Sequence, residues 1–210
     1  MTEDPTRAEP GSEKSVRRQP RDEITGAALD PSQPLIWRRS VPFAPEFELR
    51  QGSTVIGEME PAGSVEMDAT GECLGRFLEL RLEHGILRGV RVLSRVSMTE
   101  EAGPGFRGRF FGWGRVTTGA GEALRWRNRL WRVYDHGLFD AEGELLLRLK
   151  PTFLRFSRME KTRVIPSARG WARGDLGELL LLTWFLRAHA EARGRKIFRK
   201  SRGLFRCRSR

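Results

Sequence analysis

The stretch Asp175-Leu-Gly-Glu-Leu-Leu-Leu-Leu-Thr-Trp-Phe-Leu186, followed by Arg187-Ala-His-Ala-Glu-Ala-Arg-Gly194, decides the fold. Asp175 is placed to accept from the free amides of a first helical turn. Glu178 stands at the third helical position, so the spacing predicts a helix starting here. Leu176, Leu179 to Leu182, Trp184, Phe185 and Leu186 then fall on every side of that helix. Arg187, His189, Glu191 and Arg193 make the following turns polar, and Gly194 stops them. A helix lying across an open sheet keeps one polar stripe. Here only Gly177, Glu178 and Thr183 interrupt the apolar surface, so the helix is expected to be buried all round. With side chains it is roughly 10–12 Å across, and a barrel of about eleven strands holds such a helix at its centre.

Working outward from the helix, the chain before it reads as short strands punctuated by glycine. Phe47 and Leu49 alternate with Glu48 and Arg50 up to a turn at Gln51-Gly52, and Val55-Ile56 run on to Pro61. Val65, Met67 and Ala69 alternate with Glu66 and Asp68, closing at Thr70-Gly71. Leu78, Leu80 and Leu82 alternate with Glu79, Arg81 and Glu83 before His84-Gly85, and Val90 and Val92 flank Arg91. Period-two alternation puts one face in a core and the other in water. After a loop at Thr99–Gly105, the run from Phe106 to Val116 sets Phe106, Gly108, Phe110, Gly112, Gly114 and Val116 on one face. Such alternation suits a strand approached closely by another chain, or a bend at a barrel corner. Leu124 and Trp126 follow, then Trp131–Tyr134, then Leu145, Leu147 and Leu149 up to Pro151, then Phe153–Phe156 and Thr162–Ile165. The expected fold is mainly β: a closed antiparallel barrel of about 10–12 strands around the buried C-terminal helix.

The length of 210 residues suits one domain, and the apolar share of 39% against 31% charged suits neither a membrane-embedded nor an unfolded chain. Two cysteines exclude a disulfide scaffold. The longest strongly apolar run, Leu179–Leu186, falls well short of the roughly 18 residues of a membrane span, and the acidic start Met1–Asp4 has no apolar segment behind it. A cytoplasmic, reducing setting is the expectation. Residues 1–34 hold five prolines and no aromatic residue, so disorder is expected there. The barrel with its helix (about 175–192) occupies residues 35–192, and a basic tail occupies 193–210. The net charge of +11 sits mainly in that tail: its nine bases leave +2 for the rest, with about +4 on residues 35–192. Only five of the 38 basic residues are lysine, which fits GC-rich coding.

The residues Leu124-Arg-Trp126, Trp131-Arg-Val-Tyr-Asp135, Gly143-Glu-Leu-Leu146, Arg163-Val-Ile165 and the helix Leu176–Leu186 give this layout a family resemblance. Over roughly residues 35–190 the chain resembles the tubby C-terminal-like superfamily, which includes tubby-like proteins, phospholipid scramblases and the LURP-one-related family. The resemblance implies a twelve-stranded barrel around a hydrophobic C-terminal helix, and association with membranes or phosphoinositides. It lies in layout; no scramblase calcium-binding or palmitoylation segment matches, and no functional residue is carried over.

The tail holds the strongest functional signal. Arg193, Arg195, Lys196, Arg199, Lys200, Arg202, Arg206, Arg208 and Arg210 are candidates for lipid or phosphate binding. Ile197 and Phe198 recur seven residues later as Leu204 and Phe205, so a helical tail gathers these four on one side as candidate membrane-inserting residues. The expected function is non-enzymatic peripheral binding to anionic phospholipid at the inner face of a membrane. RNA or DNA phosphate is the alternative partner for the same tail, with Phe198 and Phe205 as stacking platforms; a solvated tail is the bland reading, and a third is an enzyme or lipid-binding barrel with an open interior, for which the sequence offers no polar cluster. Asp135-His136 and Asp140 are expected in a polar loop rather than as an acid–base set. His84 precedes a turn and His189 follows the helix, a spacing that makes no metal site, and no cofactor is expected. Cys73 reads as a strand or turn thiol. Cys207 lacks the aliphatic context of prenylation. Gly103-Pro-Gly105 and Gly119-Ala-Gly121 are hairpin material rather than nucleotide loops. Trp113, Trp126, Trp131 and Trp184 are expected in the core.

Overall fold

The computed structural model describes residues 29–40, 46–62, 68–84, 89–96, 102–128, 135–152 and 161–190. Twelve strands are formed: β1 (Leu35–Arg39), β2 (Phe47–Gln51), β3 (Thr54–Ala62), β4 (Asp68–Cys73), β5 (Arg76–His84), β6 (Val90–Val96), β7 (Gly105–Phe110), β8 (Trp113–Thr117), β9 (Ala123–Asn128), β10 (His136–Phe139), β11 (Leu145–Thr152) and β12 (Lys161–Pro166). Each pairs antiparallel with its sequence neighbours. β1 closes the ring on β12 through Leu35 opposite Val164 and Trp37 opposite Thr162. Closure removes every free sheet edge. A short helix α1 (Ala168–Trp171), capped by the Ser167 hydroxyl accepting from the Gly170 amide, turns the chain inward. The second helix, α2, covers residues 176–190.

The alternation read from the sequence sorts inside from outside. Leu35 and Trp37, Leu78, Leu80 and Leu82, Val90 and Val92, and Leu124 and Trp126 are all buried, as is every residue of α2 from 176 to 187. Contacts with α2 come from opposite walls of the ring. Trp184 meets Trp37 of β1 and Phe47 of β2, while the ring of His189 lies 5.1 Å from that of Phe111 in the β7–β8 turn. The helix is therefore swallowed by the barrel. Two glycines set how closely it approaches. A Cβ at Gly71 of β4 would stand 2.7 Å from a methyl of Leu181, and one at Gly177 would collide with the carbonyl of Cys73. Thr183, the polar interruption of the apolar surface, returns its hydroxyl to the Leu179 carbonyl at 2.6 Å.

Several boundaries differ from expectation. β4 does not close at Thr70-Gly71; it continues to Cys73, and Leu74 (φ 53°) and Gly75 (φ 71°) make the two-residue turn into β5. The run from Phe106 to Val116 is two strands, with a turn at Phe111-Gly112. The pairs Phe106–Val116 and Gly108–Gly114 keep those residues on one face, and the Phe106 ring lies over both glycines. Pro151 does not end β11, which runs on to Thr152. His136–Phe139 is a strand, not a loop. Asp175 precedes α2, but its carboxylate is held by Arg173. Arg187 is buried rather than polar surface, its guanidinium 5.3 Å from the centre of the Trp184 ring. Residues 29–34, grouped by composition with the N-terminal segment, form a turn fastened by Gln51, whose side chain donates to the Asp30 carbonyl and accepts from the Asp30 amide. The expected strands at 131–134 and 153–156 and the residues Val65 and Met67 lie outside the described residues, as do residues 1–28.

Candidate functional site

All thirteen tail candidates, from Arg193 to Arg210, lie outside the described residues, as do Cys207 and Trp131. The structure does place the point from which the tail departs. His189, one residue before the last described position, packs on Phe185 at 4.2 Å and on Phe111, so the described chain ends beside the β7–β8 turn.

The other polar residues are brought into structural roles. Asp135 and Asp140 flank β10 at its two ends, roughly 16 Å of strand apart. Arg148 donates to both oxygens of Asp135, at 3.1 and 2.7 Å. Asp140 accepts from the Glu144 amide at 2.7 Å and from Arg169 at 3.0 Å. Burial by itself raises the Asp140 carboxyl, but these donors outweigh it and hold the group below its ordinary value. His136 is buried inside the barrel with its ring stacked 5.0 Å from that of Trp126. Among the described residues no three His, Cys, Asp or Glu side chains converge as a metal site requires. Cys73 faces the interior, where burial first and the charge of Glu72 second push its thiol far up. Among the described residues no helix is long and apolar enough to cross a membrane. An open cleft of about 740 Å³ lies where α2 begins, lined by Arg76, Arg173, Asp175 and Glu178 among others. Its charges largely answer one another: Arg173 holds Asp175 and Glu122, and Arg76 stands 3.9 Å from Glu178.

The outer wall carries what composition averaging concealed. β6, β7, β8 and β9 together contain seven arginines and no acid. Four of them form one cross-strand row: Arg91 opposite Arg107, Arg107 opposite Arg115, and Arg115 opposite Arg125. Arg127 pairs in register with Trp113, and Arg109 stands at the irregularity near the end of β7. By contrast β3, β4 and β5 carry six acids, with Glu58 opposite Glu72. At the seam, Glu79 and Glu83 of β5 stand opposite Arg95 and Arg91 of β6. Among the described residues no carboxylate pairs with Arg107, Arg109 or Arg115. Trp113 is not core: it is 58% exposed, because the turn at Phe111-Gly112 sends Phe111 inward and leaves Trp113 on the arginine side. Trp126 and Trp184 are core, as expected. The signal for the arginine wall was present as arginine at alternating positions, 107 and 109, 125 and 127. It was hidden because the modest net charge of the barrel region sums two opposed halves. No protein-family model, curated protein or solved structure matches this chain.

Proposed function

We propose that this protein is a non-enzymatic barrel module that binds an anionic phospholipid surface peripherally through residues 193–210, at the inner face of a membrane. The observation that carries this reading is the use of the barrel interior. α2 fills it, so the surfaces offered to a partner are outside. The same helix leads the chain directly toward a segment of nine bases with Ile197, Phe198, Leu204 and Phe205 at sevenfold spacing. Each base near an anionic leaflet contributes about 1 kcal/mol, and four apolar side chains add interfacial burial. The layout of twelve antiparallel strands around a hydrophobic C-terminal helix is likewise the basis for kinship with the tubby-like barrels.

The test is sedimentation of the full chain with vesicles of phosphatidylcholine containing phosphatidylglycerol, beside a variant in which the nine tail bases are serine. Strong, salt-sensitive binding by the native chain and its loss in the variant support the reading. Equal binding by both overturns it. A preference for RNA over the vesicles at the same salt assigns the tail to nucleic acid instead.

A further inference from the structure

We infer that the outer wall of β6–β9 is a second lipid-facing surface, on which Trp113 enters the interfacial layer and Arg107, Arg109 and Arg115 meet lipid phosphates. The inference rests on the anionic bilayer being the partner, but not on the tail being its contact.

Like charges placed directly opposite one another destabilise a sheet. The row Arg91–Arg107–Arg115–Arg125 repeats that arrangement across three successive strand pairs, over roughly 14 Å at the usual strand spacing. No carboxylate among the described residues relieves Arg107 or Arg115. The barrel thus carries a standing electrostatic cost that an anionic counter-surface removes. Guanidinium groups suit that surface, because their fork of donors takes phosphate oxygens bidentately.

Two further observations select a bilayer over a nucleic acid strand, and a third places the end of the described chain beside the wall. The arginine wall also exposes apolar side chains, Trp113 at 58% and Leu93 at 36%. Tryptophan is favoured at the headgroup level of a membrane, and leucine offers a base no stacking face. The wall is the convex outside of a closed barrel, which meets a plane along a tangent and provides no groove to track a strand. Lastly, Trp113 and Arg109 adjoin the β7–β8 turn, whose Phe111 touches His189 at the end of α2. Residue 190, the last one described before the basic tail, therefore stands at the same corner. The acidic flank of β3–β5, repelled by an anionic leaflet, fixes the rotation of the barrel about its own axis.

The experiment uses the full chain with vesicles of phosphatidylcholine containing phosphatidylglycerol, one set bearing brominated acyl chains. The double variant Arg107→Glu/Arg115→Glu is expected to bind about tenfold or more weakly, since each base near the surface contributes about 1 kcal/mol. Its melting temperature is expected to stay level or rise, because the pairs 91–107 and 115–125 become opposite-charged while 107–115 exchanges one like-charged pair for another. Trp113→Phe is expected to lose the part of the tryptophan fluorescence that brominated lipid quenches. Unchanged affinity in the double variant together with unchanged quenching in Trp113→Phe overturns the inference, as does weakened binding of single-stranded RNA with vesicle binding intact. Absence of vesicle binding by the native chain overturns both readings. Binding that survives neutralisation of the tail but fails in the double variant removes the tail reading alone. Should the reversed pair lack a cooperative melting transition, Arg107→Gln/Arg115→Gln replaces it under the same criteria.

Discussion

The indole of Trp184 lies flat against that of Trp37, with ring centres 5.2 Å apart and planes 11° from parallel, and Phe47 closes on the same indole edge-on at 5.1 Å. This contact joins α2 to β1 and β2, where the barrel begins. Trp184 is 1% exposed and Trp37 fully buried, so truncation leaves a cavity that the closed wall cannot collapse. Trp184→Ala is expected to cost about 3–5 kcal/mol and Trp184→Phe distinctly less. Urea denaturation followed by far-ultraviolet circular dichroism measures both. A loss below about 1 kcal/mol for Trp184→Ala would show that the helix is not a structural member of the barrel.

Gly177 separates two opposed effects. Within a helix, glycine is about 1 kcal/mol worse than alanine, so propensity alone predicts that Gly177→Ala stabilises. The added Cβ would instead meet the Cys73 carbonyl, with Leu74 Cβ 3.3 Å away, and both belong to the stiff β4–β5 hairpin. The clash prevails, and Gly177→Ala is expected to lower the melting temperature. The control is Ala188→Gly, on a half-buried part of the same helix, which is expected to lower it through propensity alone.

How much of this was legible follows from those two residues. The helix announced itself because Leu179, Leu181 and Leu186 leave no polar side, a property of sequence alone. Its enclosure followed from helix width and strand number. The glycine at 177 gave no such signal, because its reason is a carbonyl on a hairpin a hundred residues earlier in the chain. Strand interiors were readable wherever inward and outward residues differ in polarity, as in Leu78–Leu82. They failed where they do not: His136 is polar yet faces inward, and Trp113 is apolar yet faces out. The arginine wall required knowing which strands are neighbours, since Arg91 and Arg125 become one row only through three successive registers.

Cys73 reports on the seat of the helix. Its thiol is fully buried among core residues, and burial, reinforced by Glu72, shifts it toward the protonated form. Only the thiolate reacts readily with disulfide reagents. In a Cys207→Ser background the native protein is expected to give no prompt reaction with a thiol-specific disulfide, and one equivalent after unfolding in urea. Prompt native reaction would mean that the hairpin beneath Gly177 opens.

Asp140 supplies a pH dependence with a definite sign. The amide of Glu144 and the guanidinium of Arg169 overcome the cost of burial and hold its folded pKa below the unfolded one. Its contribution is therefore present above the ordinary carboxylate range and is lost as pH falls through and below about 4. Asp140→Asn is expected to be less stable than the native protein near neutrality, with the difference narrowing as the solution is acidified. Melting temperatures of the pair across that interval are the measurement; a gap that widens toward acid would refute the assignment.

Arg173 ties the start of α2 to the barrel rim. It donates to both oxygens of Asp175, at 2.7 and 2.9 Å, and to Glu122 in the β8–β9 turn at 2.6 and 3.3 Å. These bonds, Asp175 first and Glu122 second, push its guanidinium further into the charged state. The two halves of the clamp differ in setting. Asp175 is 24% exposed and local in sequence, whereas Glu122 is 43% exposed and open to screening. Glu122→Gln is expected to cost no more than about 0.5 kcal/mol, most of it gone in molar salt. Arg173→Ala removes both partners and leaves Asp175 at the helix start without its cation, so about 1–2 kcal/mol is expected, only partly salt-sensitive. Denaturation of both variants at low and high salt separates these cases. Equal losses at both sites would mean that the clamp acts through the exposed pair alone, leaving Asp175 free to cap α2 by itself.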